Sequence, residues 1–159
     1  MAKQKINTFL WFDTQAEEAA THYTSIFPLS QITNVARYGD AGPGPKGSAM
    51  TVSFELDGQE YIALNGGPHF KFTEAISLMV HCEDQAEVDA LWDKLLAGGG
   101  QESQCGWLKD KYGLSWQIVP KALMRLLSDP DPARSKRAMQ AMLKMKKIDV
   151  ATLERAAAG

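Results

Sequence analysis

Side chains able to do chemistry are few in this sequence: three histidines, two cysteines and a scatter of carboxylates. His22 stands beside Tyr23 within a helical pattern and reads as a solvated or rim position. His81 precedes Cys82 at the end of a strand pattern, and one such pair falls short of the four ligands of a closed zinc site. His69 is the better candidate. It lies in Asn65-Gly-Gly-Pro-His-Phe-Lys-Phe-Thr, where Gly66 and Gly67 let backbone approach a ligand and an imidazole can act as donor or base near neutral pH. The alternative is a plain linker between two halves of the chain. Cys105 precedes Gly106 with no sequence-adjacent base to lower its pKa, so an inert thiol is expected.

Small-molecule sites are mostly apolar with a few polar groups that fix orientation. The aromatic residues Trp11, Phe54, Phe70, Phe72, Trp107 and Trp116 could supply the apolar walls, although core positions are their default. Trp107 and Trp116 are the expected pocket walls, with Asn65 and Gln117 as the polar contacts. With Trp11 and His69 they form the expected ligand-binding set. No residue stands out as catalytic.

The elements that must carry these residues form a repeat. Phe9-Leu-Trp-Phe-Asp-Thr-Gln-Ala-Glu-Glu-Ala recurs as Leu78-Met-Val-His-Cys-Glu-Asp-Gln-Ala-Glu-Val, with the same order of elements after each copy. In the first copy Ile6 to Phe12 predicts a strand, and Asp13 or Thr14 can cap a helix running to about Phe27. Ala16, Ala19, Ala20, Tyr23, Ile26 and Phe27 form its inward stripe. Strands are expected at residues 30–38, 49–56 and 60–65, the last two joined by Asp57-Gly58, a strong hairpin signal. Pro43 and Pro45 with their glycines mark 39–47 as a mobile loop. In the second copy 75–82 predicts a strand and 85–97 a helix with Val88, Leu91, Trp92 and Leu95 on one face. Gly98 to Gly100 end it. Short strands follow near 101–105, 107–111 and 114–119. Beyond Pro120 the texture is helical. Asp131 before Pro132 and Asp149 before Val150 are N-cap signals, and a Met-rich face implies packing on the sheet or on a partner subunit.

The chain has 159 residues, 45% of them apolar, enough for an independent core. Seventeen basic against nineteen acidic residues leave a net charge of −2, which offers no field for nucleic acid or an anionic membrane. No apolar run approaches a membrane span, and the start lacks a signal peptide's apolar stretch. A cytoplasmic protein with reduced cysteines is expected.

A doubled βαβββ unit of this size resembles the vicinal oxygen chelate superfamily of glyoxalase I, extradiol dioxygenases and bleomycin-resistance proteins. Four stretches look like its PhnB-like branch: Lys5-Ile-Asn-Thr-Phe-Leu-Trp-Phe-Asp, Ala49-Met-Thr-Val-Ser-Phe-Glu-Leu-Asp-Gly-Gln, Ala63-Leu-Asn-Gly-Gly-Pro-His-Phe-Lys-Phe-Thr-Glu-Ala-Ile-Ser and Cys105-Gly-Trp-Leu-Lys-Asp-Lys-Tyr-Gly-Leu-Ser-Trp-Gln-Ile-Val-Pro. Families of this branch often carry the label 3-demethylubiquinone-9 3-methyltransferase. The resemblance implies an α+β fold in which two βαβββ modules, about 3–68 and 72–120, form one domain of residues 1–120 with a cupped mixed sheet. A C-terminal helical extension, 121–159, follows.

In metal-using members of the superfamily, four ligands line the cup. Carried onto this chain, the first-strand positions fall on Asn7 and Ser77, and the last-strand positions near Asn65 and on Gln117. Amides and a hydroxyl are poor ligands for zinc, nickel or iron, so neither metal nor other cofactor is expected. The expectation is a homodimer binding a small, partly apolar molecule in a metal-free cup. Two alternatives stand beside it. One is a glyoxalase- or dioxygenase-type metalloenzyme using displaced ligands such as His69, Glu74 or Glu55. The other is the S-adenosylmethionine-dependent methyltransferase of the label, although the chain lacks the strand, glycine-rich turn and helix that usually hold that cofactor.

Overall fold

The computed structural model describes residues 4–159, so the first residue assigned to the first module lies outside it. The chain divides into two compact units, up to Lys71 and from Phe72 onward. Each carries one four-stranded mixed sheet backed by one helix, and the second adds three C-terminal helices. This is the expected α+β pattern of two βαβββ modules.

In the first unit β1 (Thr8–Phe12) leads to α1 (Ala16–Ile26), then β2 (Gln31–Arg37), β3 (Ala49–Leu56) and β4 (Gln59–Asn65). The sheet order is β1-β4-β3-β2, with β1 parallel to β4 and the other pairs antiparallel. Asp57 and Gly58 turn the β3–β4 hairpin with φ of 49° and 80°, the left-handed pair that a two-residue turn demands. Strand alternation gives the sheet two faces. Leu10, Phe12, Val52, Phe54 and Ala63 are buried together with Ala16, Ala19, Ala20 and Tyr23 of α1. Burying each large side chain contributes about 1.5–3 kcal/mol. Phe9, paired with Ile62, and Trp11, paired with Leu64, occupy the opposite face.

The start of α1 differs from expectation. Its N-cap is Gln15, and no local side chain caps it. The backbone N–H of Ala16 donates instead to Oδ1 of Asn65 (2.8 Å), at the end of β4. Asp13 and Thr14 are both exposed.

The second unit repeats the order with shorter strands. These are β5 (Ser77–Cys82), α2 (Gln85–Leu96), β6 (Gln101–Glu102), β7 (Trp107–Lys109) and β8 (Ser115–Pro120), in sheet order β5-β8-β7-β6. Here the helix is capped locally, Asp84 accepting from the N–H of Glu87 (2.9 Å). Gly98 follows α2 at φ 85°, the left-handed residue that ends a helix.

The C-terminal helices α3 (Lys121–Leu127), α4 (Pro132–Met142) and α5 (Val150–Ala158) share a core with the end of β8. It comprises Val119, Leu123, Leu126, Ala138, Ile148, Leu153 and Ala157. Asp131 and Asp149 cap α4 and α5 as their sequence signals predict. Gln85 ties this tail to α2: its amide donates to Ile148 O (2.9 Å) and accepts from Val150 N–H (2.7 Å). No helix among the described residues is long and apolar enough to cross a membrane.

Candidate functional site: a cleft around Tyr38 and the Gly66–His69 turn

Residue 65 begins a concave feature of the first unit. As β4 ends, the chain stays attached to the end of β1: Gly66 N–H donates to Phe12 O (2.9 Å) and Gly67 N–H to Asp13 O (3.3 Å). Trp11 fixes the turn from the other side, its indole N–H donating to the Gly67 carbonyl (2.9 Å). Phe70 meets the Trp11 ring edge-on, centroids 4.9 Å apart. Gly66 is required by contact rather than by φ: a Cβ there would sit 2.4 Å from the indole carbons.

Tyr38 builds the opposite wall. Its hydroxyl donates to the Asn65 carbonyl (2.7 Å), and the ring is buried. The 39–47 segment is folded onto this ring rather than hanging free. A Cβ on Gly42 or Gly44 would lie 2.4 or 2.3 Å from ring carbons, and Tyr38 and Ser48 close the base of the loop with a 2.9 Å backbone bond. Between these walls opens a cleft of about 380 Å³ with Asp13, Pro43, Pro45, Ser48, Pro68 and His69 among its lining.

Of the expected ligand-binding residues, the cleft brings Asn65 and His69 together, with Trp11 packed directly behind. Oδ1 of Asn65 accepts from the Ala16 N–H, Nδ2 donates to Ala49 O (3.0 Å) and the backbone carbonyl accepts from Tyr38, so the residue organises the walls of the cleft it lines. His69 is exposed at the rim. Tyr38 is a site residue that the sequence reading does not name, although the glycines at 42 and 44 are the mark of a backbone passing close over a ring.

The remaining expected residues lie in the second unit. Trp116 is a core residue rather than a pocket wall: it is 2% exposed, paired between Leu78 and Leu108 on the buried face. Its indole donates to Oδ2 of buried Asp110 (2.9 Å), whose Oδ1 accepts from the N–H groups of Tyr112 and Leu114. Strand alternation puts Trp107 and Gln117, directly opposite each other, on the other face. Both are half-buried.

The four positions that the resemblance marks for metal ligands do not fit a metal. Gln117 donates to Ser77 Oγ (2.9 Å) and Asn7 to Glu60 (3.1 Å), bonds between the side chains themselves. The pairings also correct the assignment near Asn65. Phe12 pairs with Asn65 where its repeat equivalent Cys82 pairs with Pro120, and Gln117 pairs with Met79, whose equivalent Phe9 faces Ile62. The counterpart of Gln117 is therefore Ile62, an apolar side chain with no lone pair to offer. Of the displaced candidates, Glu74 is paired with Lys109 and Glu55 accepts from Gln31 (3.3 Å). Among the described residues no three of His, Cys, Asp and Glu converge as a metal site would require.

The remaining reactive candidates are quiet. Burial, with Glu87 and Asp84 nearby, pushes the Cys82 thiol up to about 12, so it stays protonated. His22 is half-buried beside Tyr23, ring centroids 6.0 Å apart, and His81 is exposed.

These features define a two-module α+β protein whose first module holds a small, partly apolar cleft and whose four expected ligand positions are amides, a hydroxyl and an aliphatic chain. By sequence it belongs to the 3-demethylubiquinone-9 3-methyltransferase family, whose model matches residues 4–119. A PhnB protein from Bacillus cereus, described as a 3-demethylubiquinone-9 3-methyltransferase, is 40% identical, covers 74% of this chain and 99% of its own, and superposes with a TM-score of 0.68. A Pseudomonas aeruginosa protein shares 19% identity over 74% of this chain and 98% of its own, with a TM-score of 0.61. A glyoxalase/bleomycin resistance protein from Albidiferax ferrireducens matches at 12% identity over 74% and 99%, TM-score 0.49. No curated protein is significantly similar to this chain.

Proposed function

We propose that this protein binds a small, partly apolar molecule without the help of a metal ion, in the cleft between Tyr38 and the Gly66–His69 turn. The cleft carries the reading: its size suits a small molecule, prolines and the Ala49 side chain give it apolar walls, and glycine contacts on Trp11 and Tyr38 hold its shape before any ligand arrives. Asn65 sets the geometry, Trp11 backs the floor, and His69 supplies a polar contact at the rim. Trp107 and Gln117 offer a second aromatic and amide surface of the same character on the open face of the second sheet. The protein works in the cytoplasm as a homodimer. Phe9, 55% exposed, and Phe70, 66% exposed, supply apolar surface for the second copy.

Methyl transfer from S-adenosylmethionine is not adopted. The glycine run Gly98–Gly100 follows α2 instead of joining a strand to the start of a helix, and neither sheet alternates parallel strands with helices.

The test is a titration of small aromatic and aliphatic fragments against isotope-labelled protein, read by the Trp11 indole resonance and the amides of Gly66, Gly67 and His69. Saturable shifts confined to this group and to the 39–48 segment support the reading. Shifts that map elsewhere, or none at all, overturn it.

A further inference from the structure

The charge around this cleft is lopsided, and this inference rests on the ligand-binding reading of the same site. We propose that the cleft selects an amine: a small, partly apolar molecule with an ammonium group held by the Asp13 carboxylate and an apolar body against Pro43, Pro45 and Pro68, with the matching carboxylate rejected. Among the described residues no lysine or arginine lines it, while Asp13 and His69 both do.

Two cations close in sequence to the lining are committed elsewhere. Arg37, next to Tyr38, is forked onto both carboxylate oxygens of Glu17 (3.1 and 3.2 Å). Lys46, inside the covering loop, pairs with Asp40 (2.9 Å). A helix N-terminus ordinarily attracts anions, and α1 begins beside the cleft. Here that attraction is answered within the protein, because Asn65 Oδ1 takes the Ala16 N–H and Glu18 adds an acidic side chain to the first turn. An anionic ligand would therefore meet the Asp13 carboxylate with no lysine or arginine in the described lining to compensate it. An ammonium group meets a counter-ion, and the imidazole of His69 can accept a further hydrogen bond. Asp13 is exposed, so its preference is modest, about fivefold, as for other solvated charge pairs.

The probes are benzylamine, benzyl alcohol and benzoate, alike in ring and size and different in charge, titrated against the full chain near neutral pH and low salt. Binding is read from the Trp11 indole and Gly67 amide resonances. Benzylamine is expected to bind about fivefold tighter than benzyl alcohol, with benzoate weakest, and the amine's advantage shrinks in high salt. Asp13→Asn is expected to remove that advantage, so that within the variant benzylamine and benzyl alcohol bind equally. Benzoate or benzyl alcohol binding as tightly as benzylamine overturns the proposal, as does an amine preference that survives in Asp13→Asn or in high salt. If none of the three probes shifts either resonance, the binding reading itself fails, an outcome distinct from binding without charge selection.

Discussion

Asn65→Ala tests the architecture of the cleft most sharply. The side chain accepts from the Ala16 N–H at 2.8 Å and donates to the Ala49 carbonyl at 3.0 Å, and both partner residues are buried. Truncation removes two hydrogen bonds and leaves a buried donor and a buried acceptor facing apolar surroundings. Each orphaned group costs about 1–3 kcal/mol, so the substitution is expected to destabilise the first unit by about 2–6 kcal/mol. A local helix cap replaced by alanine costs about 1 kcal/mol. Asn65→Asp keeps the acceptor for Ala16 and adds a charge that α1 favours, yet sets a carboxylate against the Ala49 carbonyl, so it should fall between wild type and alanine. The assay is urea denaturation combined with hydrogen exchange. Exchange should accelerate in the first turn of α1 and at residues 49–52 while α2 and its sheet stay protected. A loss below about 0.5 kcal/mol, or acceleration spread equally over both units, would refute the reasoning.

Other consequences can be checked alongside. Gly66→Ala drives a methyl into the Trp11 indole and should cost about 1–3 kcal/mol with a shifted Trp11 resonance; an unchanged resonance would contradict the packing. Cys82 should resist iodoacetamide in the native protein and react only after denaturation, as followed by mass spectrometry, because its thiol is held up at about 12. Gln85→Ala frees Ile148 O and Val150 N–H and should loosen the tail by about 1–3 kcal/mol, seen as faster exchange in α5 with α1 unaffected. The Asp149 carboxyl lies below the usual carboxylate range because it accepts from the Thr152 backbone and side chain. A depressed folded pKa gives stability that is present above the unfolded value, near 3.9, and lost as pH falls through the folded one. The melting temperature of the tail should therefore drop in acid, and less steeply in Asp149→Asn; equal slopes would count against that cap.

Much of the fold can be read from the sequence because its signals are local. The Asp57-Gly58 turn fixes the β3–β4 hairpin, and Asp131-Pro132 and Asp149 start helices where they stand. The candidate site is legible only in part because it depends on contacts through space. Asp13 and Thr14 are plausible caps by position, but the donor they would satisfy is taken by Asn65, 49 residues further along the chain. Trp116 looks like a pocket aromatic until the register with Leu78 and Leu108 turns it inward, and nothing in its own neighbourhood reveals that parity. The 39–47 segment has the composition of a free loop, yet Gly42 and Gly44 serve to lie flat on Tyr38.

The central claim is ligand binding that depends on this cleft and on no metal. It is tested most directly by measuring the affinity of one cleft-binding fragment, through the Trp11 indole resonance, before and after exhaustive dialysis against a chelator. The account predicts the same affinity in both samples and no gain when zinc, nickel or iron(II) is added back. Loss of binding on chelation, restored by a stoichiometric divalent ion, would contradict it.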